Sequence, residues 1–144
     1  MSSFGEMFGK LLHATGQSRA AKTVEIYGWL IFAEGILIFL FPEHVALLLR
    51  FGPLDRDGLM FFRLAGLLVA GIGMLYSVSG RMNAEGFVFA TLLDRPLVPP
   101  IMAALWYSGK LPGSLALLFA VQELVSFSWT LLTWRAELRK YRLS

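Results

Sequence analysis

Four long apolar segments constrain this chain more than any other feature. They cover residues 24–41, 59–79, 86–108 and 114–134. Each has close to the ~20 residues with which an α-helix crosses a ~30 Å hydrocarbon layer. A soluble four-helix bundle would need a polar outer face on every helix, and these segments have none. We therefore predict an all-α integral membrane protein in which four transmembrane helices form a bundle.

The composition agrees with a membrane protein and excludes several kinds of site. Hydrophobic residues make up 56% of the chain and charged residues 16%, against ~25% charged in an ordinary soluble domain. Cysteine is absent, which removes disulfides, thiolate chemistry and cysteine-based metal motifs. His13 and His44 lie outside the apolar segments, so we expect no haem ligation, no metal site and no cofactor.

The positions of lysine and arginine predict the orientation in the membrane, because cytoplasmic segments carry an excess of both. Arg50, Arg56 and Lys110 lie on one side of the predicted bundle, and a larger group lies on the side with both termini. We predict cytoplasmic termini in a bacterial inner membrane. No soluble basic face is available for nucleic acid. Anionic lipid headgroups are the expected partners of the basic residues in the terminal segments: Lys10, Arg19, Lys22, Arg135, Arg139, Lys140 and Arg142.

Both terminal segments lie outside the predicted spans. Residues 135–144 form a basic tail, and residues 1–23 contain a predicted amphipathic helix. Ser3 and Glu6 have the spacing of a capping box at its start. The helix can lie among lipid headgroups, or it can dock on the bundle or on a partner subunit. Its apolar residues have helical spacing: Phe4, Met7, Phe8, Leu11 and Leu12.

Ionisable residues inside spans are rare and are candidates for function. From helix geometry we place Glu34 ~10 Å and Arg63 ~6 Å below the external side, with Arg95 at ~20 Å and Glu123 at ~14 Å. These depths predict a Glu34–Arg63 ion pair and an Arg95–Glu123 ion pair, with Asp94 as a second acceptor. We expect one buried polar network across the four helices, made of Glu34, Arg63, Asp94, Arg95, Gln122 and Glu123.

Two further patterns concern helix packing and helix continuity. Small residues on one face of the second span allow another helix to approach closely, and Arg63 is expected to share that face. The face consists of Gly66, Ala70, Gly73 and Ser77.

In the third span Pro96, Pro99 and Pro100 remove backbone donors, so we predict a kinked or discontinuous helix. Broken spans are a recurring way to build ion and substrate sites.

The order of these landmarks resembles small four-span membrane proteins of the DoxX-like family. The first span ends at Phe41-Pro42, a charged segment follows at 43–58, and the second span opens with Arg63-Leu64-Ala65-Gly66, then Gly71 and Gly73. The resemblance covers residues 24–134 as an architecture. It implies an accessory membrane subunit, in some cases associated with redox complexes, rather than an independent catalyst.

Three hypotheses for function follow. The first is a non-catalytic accessory or scaffold subunit that binds other membrane subunits or further copies of itself. The second is an oligomeric, proton-linked small transporter with Glu34 or Glu123 as the titrating group. The third is a membrane enzyme that acts on a lipid-like substrate by carboxylate acid/base chemistry, through Glu34, Asp94 or Glu123. We find no known catalytic motif in the sequence, and we therefore favour the first hypothesis.

Overall fold

The computed structural model describes residues 3–143, and its regular secondary structure in this range is entirely helical. A three-residue 3₁₀ segment, Arg95–Leu97, joins α5 to α6. The helices are α1 (Phe4–Leu12), α2 (Arg19–Leu40), α3 (Pro42–Leu48), α4 (Arg56–Arg81), α5 (Glu85–Asp94), α6 (Val98–Tyr107) and α7 (Gly113–Leu143).

Four helical segments are long and apolar enough to cross a membrane: α2, α4, α5 with α6, and α7. The prediction of an all-α chain with four apolar helices is therefore confirmed. The helices extend beyond the apolar segments at several ends. The largest difference is in α7, which continues from the predicted end near Trp134 to Leu143. Most of the predicted basic tail is thus helical.

Side-chain oxygens fix the starts of three helices. Ser3 and Glu6 form the predicted capping box, with the Glu6 N–H donating to Ser3 Oγ at 3.2 Å and the Ser3 N–H donating to Glu6 Oε2 at 2.8 Å. Ser18 Oγ accepts from Ala21 N–H at 3.0 Å, and Asp55 Oδ1 accepts from Gly58 N–H at 2.7 Å. These bonds satisfy amide groups that have no partner within their own helix.

The most extensive helix pair is α2 with α4, which pack antiparallel through small residues. A Cβ atom on Gly35 would lie 2.2 Å from the Ala70 nitrogen, and one on Gly28 would lie 2.4 Å from the Ser77 nitrogen. Only glycine fits where two helix backbones come this close. The predicted small residues lie at this contact and are buried: Gly66, Ala70, Gly73 and Ser77, continued by Gly80. Arg63, which was expected to share their face, is exposed.

The third span is interrupted where the prolines predicted a break. The α-helix stops at Asp94, and α6 starts at Val98 after one 3₁₀ turn. Pro99 and Pro100 have no N–H, so the carbonyl of Pro96 has no helical donor at either the third or the fourth following residue.

Helix α1 lies at the end of the bundle where α4 terminates. The Arg81 guanidinium donates to the carbonyl oxygens of Leu11 and Leu12, which ties the last turn of α1 to α4. None of the residues of α1 is buried. Phe4 is 86% exposed and Phe8 51% exposed, so the apolar face of α1 does not pack on the bundle.

Candidate functional site

Arg95 lies at the centre of the largest polar cluster inside the bundle. It is the first residue of the 3₁₀ segment, and none of its surface is exposed. Its guanidinium carbon lies 4.5 Å from the ring centroid of Tyr27 and 5.3 Å from that of Tyr76. Both distances are within the range of cation–π attraction, which stabilises a desolvated cation. The third span therefore places a positive charge between aromatic rings of α2 and α4.

Acceptors for this cation come from α7. Arg95 Nη1 donates to Thr130 Oγ1 at 3.0 Å, and Arg95 Nε lies 3.9 Å from Glu123 Oε2. Tyr27 donates from its hydroxyl to Glu123 Oε1 at 2.7 Å, and Thr23 and Thr130 share a hydrogen bond of 2.8 Å. The predicted Arg95–Glu123 ion pair is confirmed, and all four spans contribute to this cluster.

The Arg95 cluster is not fully hydrogen-bonded. At 3.9 Å, the Arg95–Glu123 contact is an ion pair but is too long for a hydrogen bond. Within residues 3–143, three of its buried atoms have no hydrogen-bond partner: Arg95 Nε, Arg95 Nη2 and Glu123 Oε2. Such atoms are costly in a region of low dielectric constant unless a proton, water or ligand joins them.

The predicted Glu34–Arg63 ion pair is wrong. Glu34 Oε2 accepts from Gln122 Nε2 at 2.9 Å, which joins α2 to α7. The next residue, Gly35, faces α4. Because successive residues of an α-helix are rotated by about 100° around its axis, Glu34 faces α7 instead. Arg63 is exposed, because α2 ends at Leu40 and no longer covers α4 at this level.

Asp94 is also outside the cluster that it was predicted to join. Its side chain is exposed, whereas Arg95 beside it is buried. Among the described residues Asp94 forms neither a hydrogen bond nor an ion pair within 4.0 Å. The single network of six residues is thus incorrect. Of these six residues the structure joins Arg95 with Glu123 and Glu34 with Gln122, and it leaves Arg63 and Asp94 on the surface.

Sequence reasoning missed Glu25, whose carboxylate is more deeply buried than those of Glu34 and Glu123. Its side chain is 3% exposed and receives Lys22 Nζ at 2.8 Å and Arg81 Nη1 at 2.9 Å. Gln17 Nε2 bridges Glu25 Oε2 and the Gly80 carbonyl, both at 2.8 Å. The spacing of Lys22 and Glu25 on one helix is the only local signal for this cluster. Through Arg81, the cluster connects α1, α2 and α4 at the end that holds the N-terminal segment.

Tyr27 and Tyr76 were also missed, because a tyrosine within an apolar segment is not distinctive in a sequence. Within residues 3–143 no three His, Cys, Asp or Glu residues form a group that could hold a metal ion. The internal groups are carboxylates, one guanidinium, hydroxyls and an amide. Such groups can bind protons, water or small polar molecules, and they can join helices to one another.

Comparison of the chain with protein-family models, curated proteins and solved structures found no match.

Proposed function

We propose that this chain is a non-catalytic accessory or scaffold subunit of a bacterial inner-membrane complex. One observation carries the proposal: the polar groups inside the bundle mostly bind each other across helices. Arg95 contacts side chains from the other three spans, and Glu34 binds Gln122 of α7. Polar groups that bridge spans specify helix packing, because the alternative is an unpaired polar group in hydrocarbon.

The distribution of charge supports a cytoplasmic position for both termini. Lys22, Arg81 and Glu25 form ion pairs at one end of the bundle. At the same end, Glu137 Oε1 accepts from the Arg19 N–H at 2.5 Å, so the last turns of α7 pack beside the start of α2. The cytoplasmic leaflet attracts such basic ends. In this arrangement α1 lies in the headgroup layer with its apolar face toward lipid.

The scaffold role is tested by the composition of the native assembly. The full chain is extracted from its own membrane in mild detergent and weighed by native mass spectrometry. We expect this 16.1 kDa chain together with at least one other membrane polypeptide. A Glu34→Gln, Glu123→Gln double variant should lose part of that assembly, because both interhelical contacts are weakened. A monomer alone in mild detergent would contradict the proposal.

A second candidate, an oligomeric proton-linked carrier, is favoured by the unpaired atoms of the Arg95 cluster. Glu123 Oε2 has no hydrogen-bond partner among the described residues and is an available proton acceptor. In sealed vesicles, Glu123→Gln should abolish the proton-coupled uptake of a carrier. Glu34→Gln should retain this uptake, because the Glu34 carboxylate already accepts a hydrogen bond from Gln122. Native masses consisting only of multiples of this chain would favour the carrier over the scaffold.

A further inference from the structure

The outward face of the third span is apolar except for one carboxylate. Leu93 is 59% exposed, Leu97 58% and Ile101 53%. Ala90, Asp94 and Ala104 are exposed as well, and their spacing of three or four residues from these positions places them on one side of the helix. We call this set the third-span face: Ala90, Leu93, Asp94, Leu97, Ile101 and Ala104.

In the proposed membrane arrangement, the carboxylate of Asp94 lies inside the hydrocarbon layer. The Arg95 guanidinium stacks on Tyr27 and Tyr76, and these two residues are ~7.5 Å along their helices from Lys22 and Arg81. Lys22 and Arg81 mark the basic end of the bundle. A lysine or arginine at this depth can extend to the interface, but an aspartate side chain is too short. An unpaired charge at this depth is expensive.

The chain itself supplies no partner for Asp94. Arg95 is fully buried between two rings, and Lys22 and Arg81 are bound to Glu25. Arg63 is exposed but lies ~20 Å further along α4 than Tyr76. Arg135 is also exposed, and it lies ~7.5 Å along α7 from Thr130, at the level of the basic end rather than of Asp94. A second copy in the same orientation would therefore present no free cation at the level of Asp94.

We propose that the third-span face binds a transmembrane helix from a different chain, and that this helix carries a lysine or arginine at the depth of Asp94. The proposal rests on the role as a membrane subunit and specifies the chemistry of the partner. Ala90 and Ala104 are small, so a helix can approach closely on both sides of the carboxylate. A cation opposite Asp94 would balance the only ionisable group on the face.

The test uses the full chain in phosphatidylcholine vesicles with a synthetic transmembrane peptide as the probe. The chain contains no cysteine, so Lys110→Cys provides a single donor label at the end of the third span. The probe is a leucine–alanine helix of about 20 residues with an acceptor label. One version has a lysine at the depth of Asp94, and a matched version has leucine there. Energy transfer measures the association of each peptide.

We expect the lysine peptide to bind roughly tenfold more tightly than the leucine peptide, as interhelical polar contacts in membranes allow. Asp94→Asn should remove this difference. Glu85→Gln, at an exposed acid at the start of α5, should preserve it. The two variants should have the same unfolding midpoint as the parent, because both side chains are exposed.

Two results would overturn the inference. One is equal binding of the two peptides, or a preference that Asp94→Asn does not change. The other is energy transfer between two labelled copies that Asp94→Asn abolishes, which would make a second copy the occupant.

If a native heteromeric complex persists while the peptides are not distinguished, the scaffold role stands and this surface is wrong. If the lysine peptide binds through Asp94 while the native mass is that of the monomer, the surface stands and the scaffold role fails.

Discussion

Arg95 is the residue on which the interior of the bundle depends. A guanidinium without any exposed surface is tolerated only when charges and donors around it compensate for lost hydration. Two aromatic rings, the Thr130 hydroxyl and the Glu123 carboxylate provide that compensation. Because these groups come from different spans, a change at Arg95 alters helix packing as well as local charge.

Replacing Arg95 by methionine should destabilise the fold by ~3 kcal/mol, because it leaves the Glu123 carboxylate without its cation. The measurement is the unfolding free energy in mixed detergent and SDS micelles. Arg63→Met is the matched control, since Arg63 is exposed, and we expect a change of at most about 0.5 kcal/mol there. Adding Glu123→Met to Arg95→Met should recover part of the loss. Equal stabilities of the Arg95 and Arg63 variants would disprove a stabilising role for the buried cation.

The sequence predicts the depth of each of these residues along its helix better than the direction in which its side chain points. The depths of Arg95 and Glu123 correctly indicated an ion pair. The depths of Glu34 and Arg63 were equally compatible with an ion pair, yet these two residues do not form one. Depth along a helix depends only on residue number, whereas contact also requires two side chains to face each other. Which face of α2 packs on α4 is decided by Gly28 and Gly35, and this pairing is a long-range property.

The α2–α4 pair is the tightest element of the fold, and a repeat of small residues accounts for it. Glycine recurs seven residues apart in both helices, which places the small positions of each helix along one seam. Close van der Waals contact of this kind is the interaction that holds helices together in lipid, where the hydrophobic effect between helices is absent. The repeat consists of Ala21, Gly28 and Gly35 in α2 and of Gly66, Gly73 and Gly80 in α4.

Adding one methyl group at this seam should separate the two helices. Gly35→Ala places its Cβ atom 2.2 Å from the Ala70 nitrogen, and because that atom belongs to the backbone we expect a loss of ~2 kcal/mol. Gly71→Ala in α4 is the matched control, since its Cβ atom would meet nothing within 4 Å. Alanine favours helix over glycine there, so stability should be unchanged or higher. Unfolding midpoints that fall equally in both variants would contradict this account of the seam.

Helix α1 differs from the spans because its apolar face is exposed while its last turn is held by Arg81. If this face enters the headgroup layer, an environment-sensitive NBD label at Phe8→Cys should emit at shorter wavelength than the same label at Lys10→Cys. The absence of native cysteine makes each label unique. Both proteins are measured in vesicles that contain phosphatidylglycerol. Identical emission from the two positions would show that α1 does not lie with one face in lipid.

The ends of the elements were less predictable than their existence. The apolar segments identify four helices because only a helix satisfies every backbone group within a span. Hydropathy does not mark where a helix stops, and α7 continues through Arg135 and Arg139 to Leu143. A helix can extend into water when its residues favour helix and its neighbours support it. At this end Glu137 caps the start of α2, a contact that the sequence of α7 alone could not indicate.

Across the bundle as a whole, buried polarity is concentrated toward the end that holds the N-terminal segment. Arg95 and its aromatic neighbours lie close to this end, and the Glu25 cluster closes it. The opposite end consists of α3, the 49–55 loop and the turn between α6 and α7. The Ser114 hydroxyl, at the start of α7, donates to the Leu49 carbonyl and so joins this turn to the loop. This asymmetry agrees with the excess of lysine and arginine near the termini. Both features favour a single orientation in the membrane.

That orientation can be measured with single cysteines, because the chain has none of its own. In intact cells, a membrane-impermeant maleimide should label Asp57→Cys and Lys110→Cys, which lie in or next to the two connections that we predict to be external. Lys140→Cys near the end of α7 should react only after the membrane is opened, since the basic residues around it favour the cytoplasmic side. All three positions are exposed in the structure, so a difference in labelling reports the side of the membrane rather than burial within the protein. Labelling of Lys140→Cys in intact cells, with protection of the other two, would invert the topology and would move α1 and the Glu25 cluster to the external face.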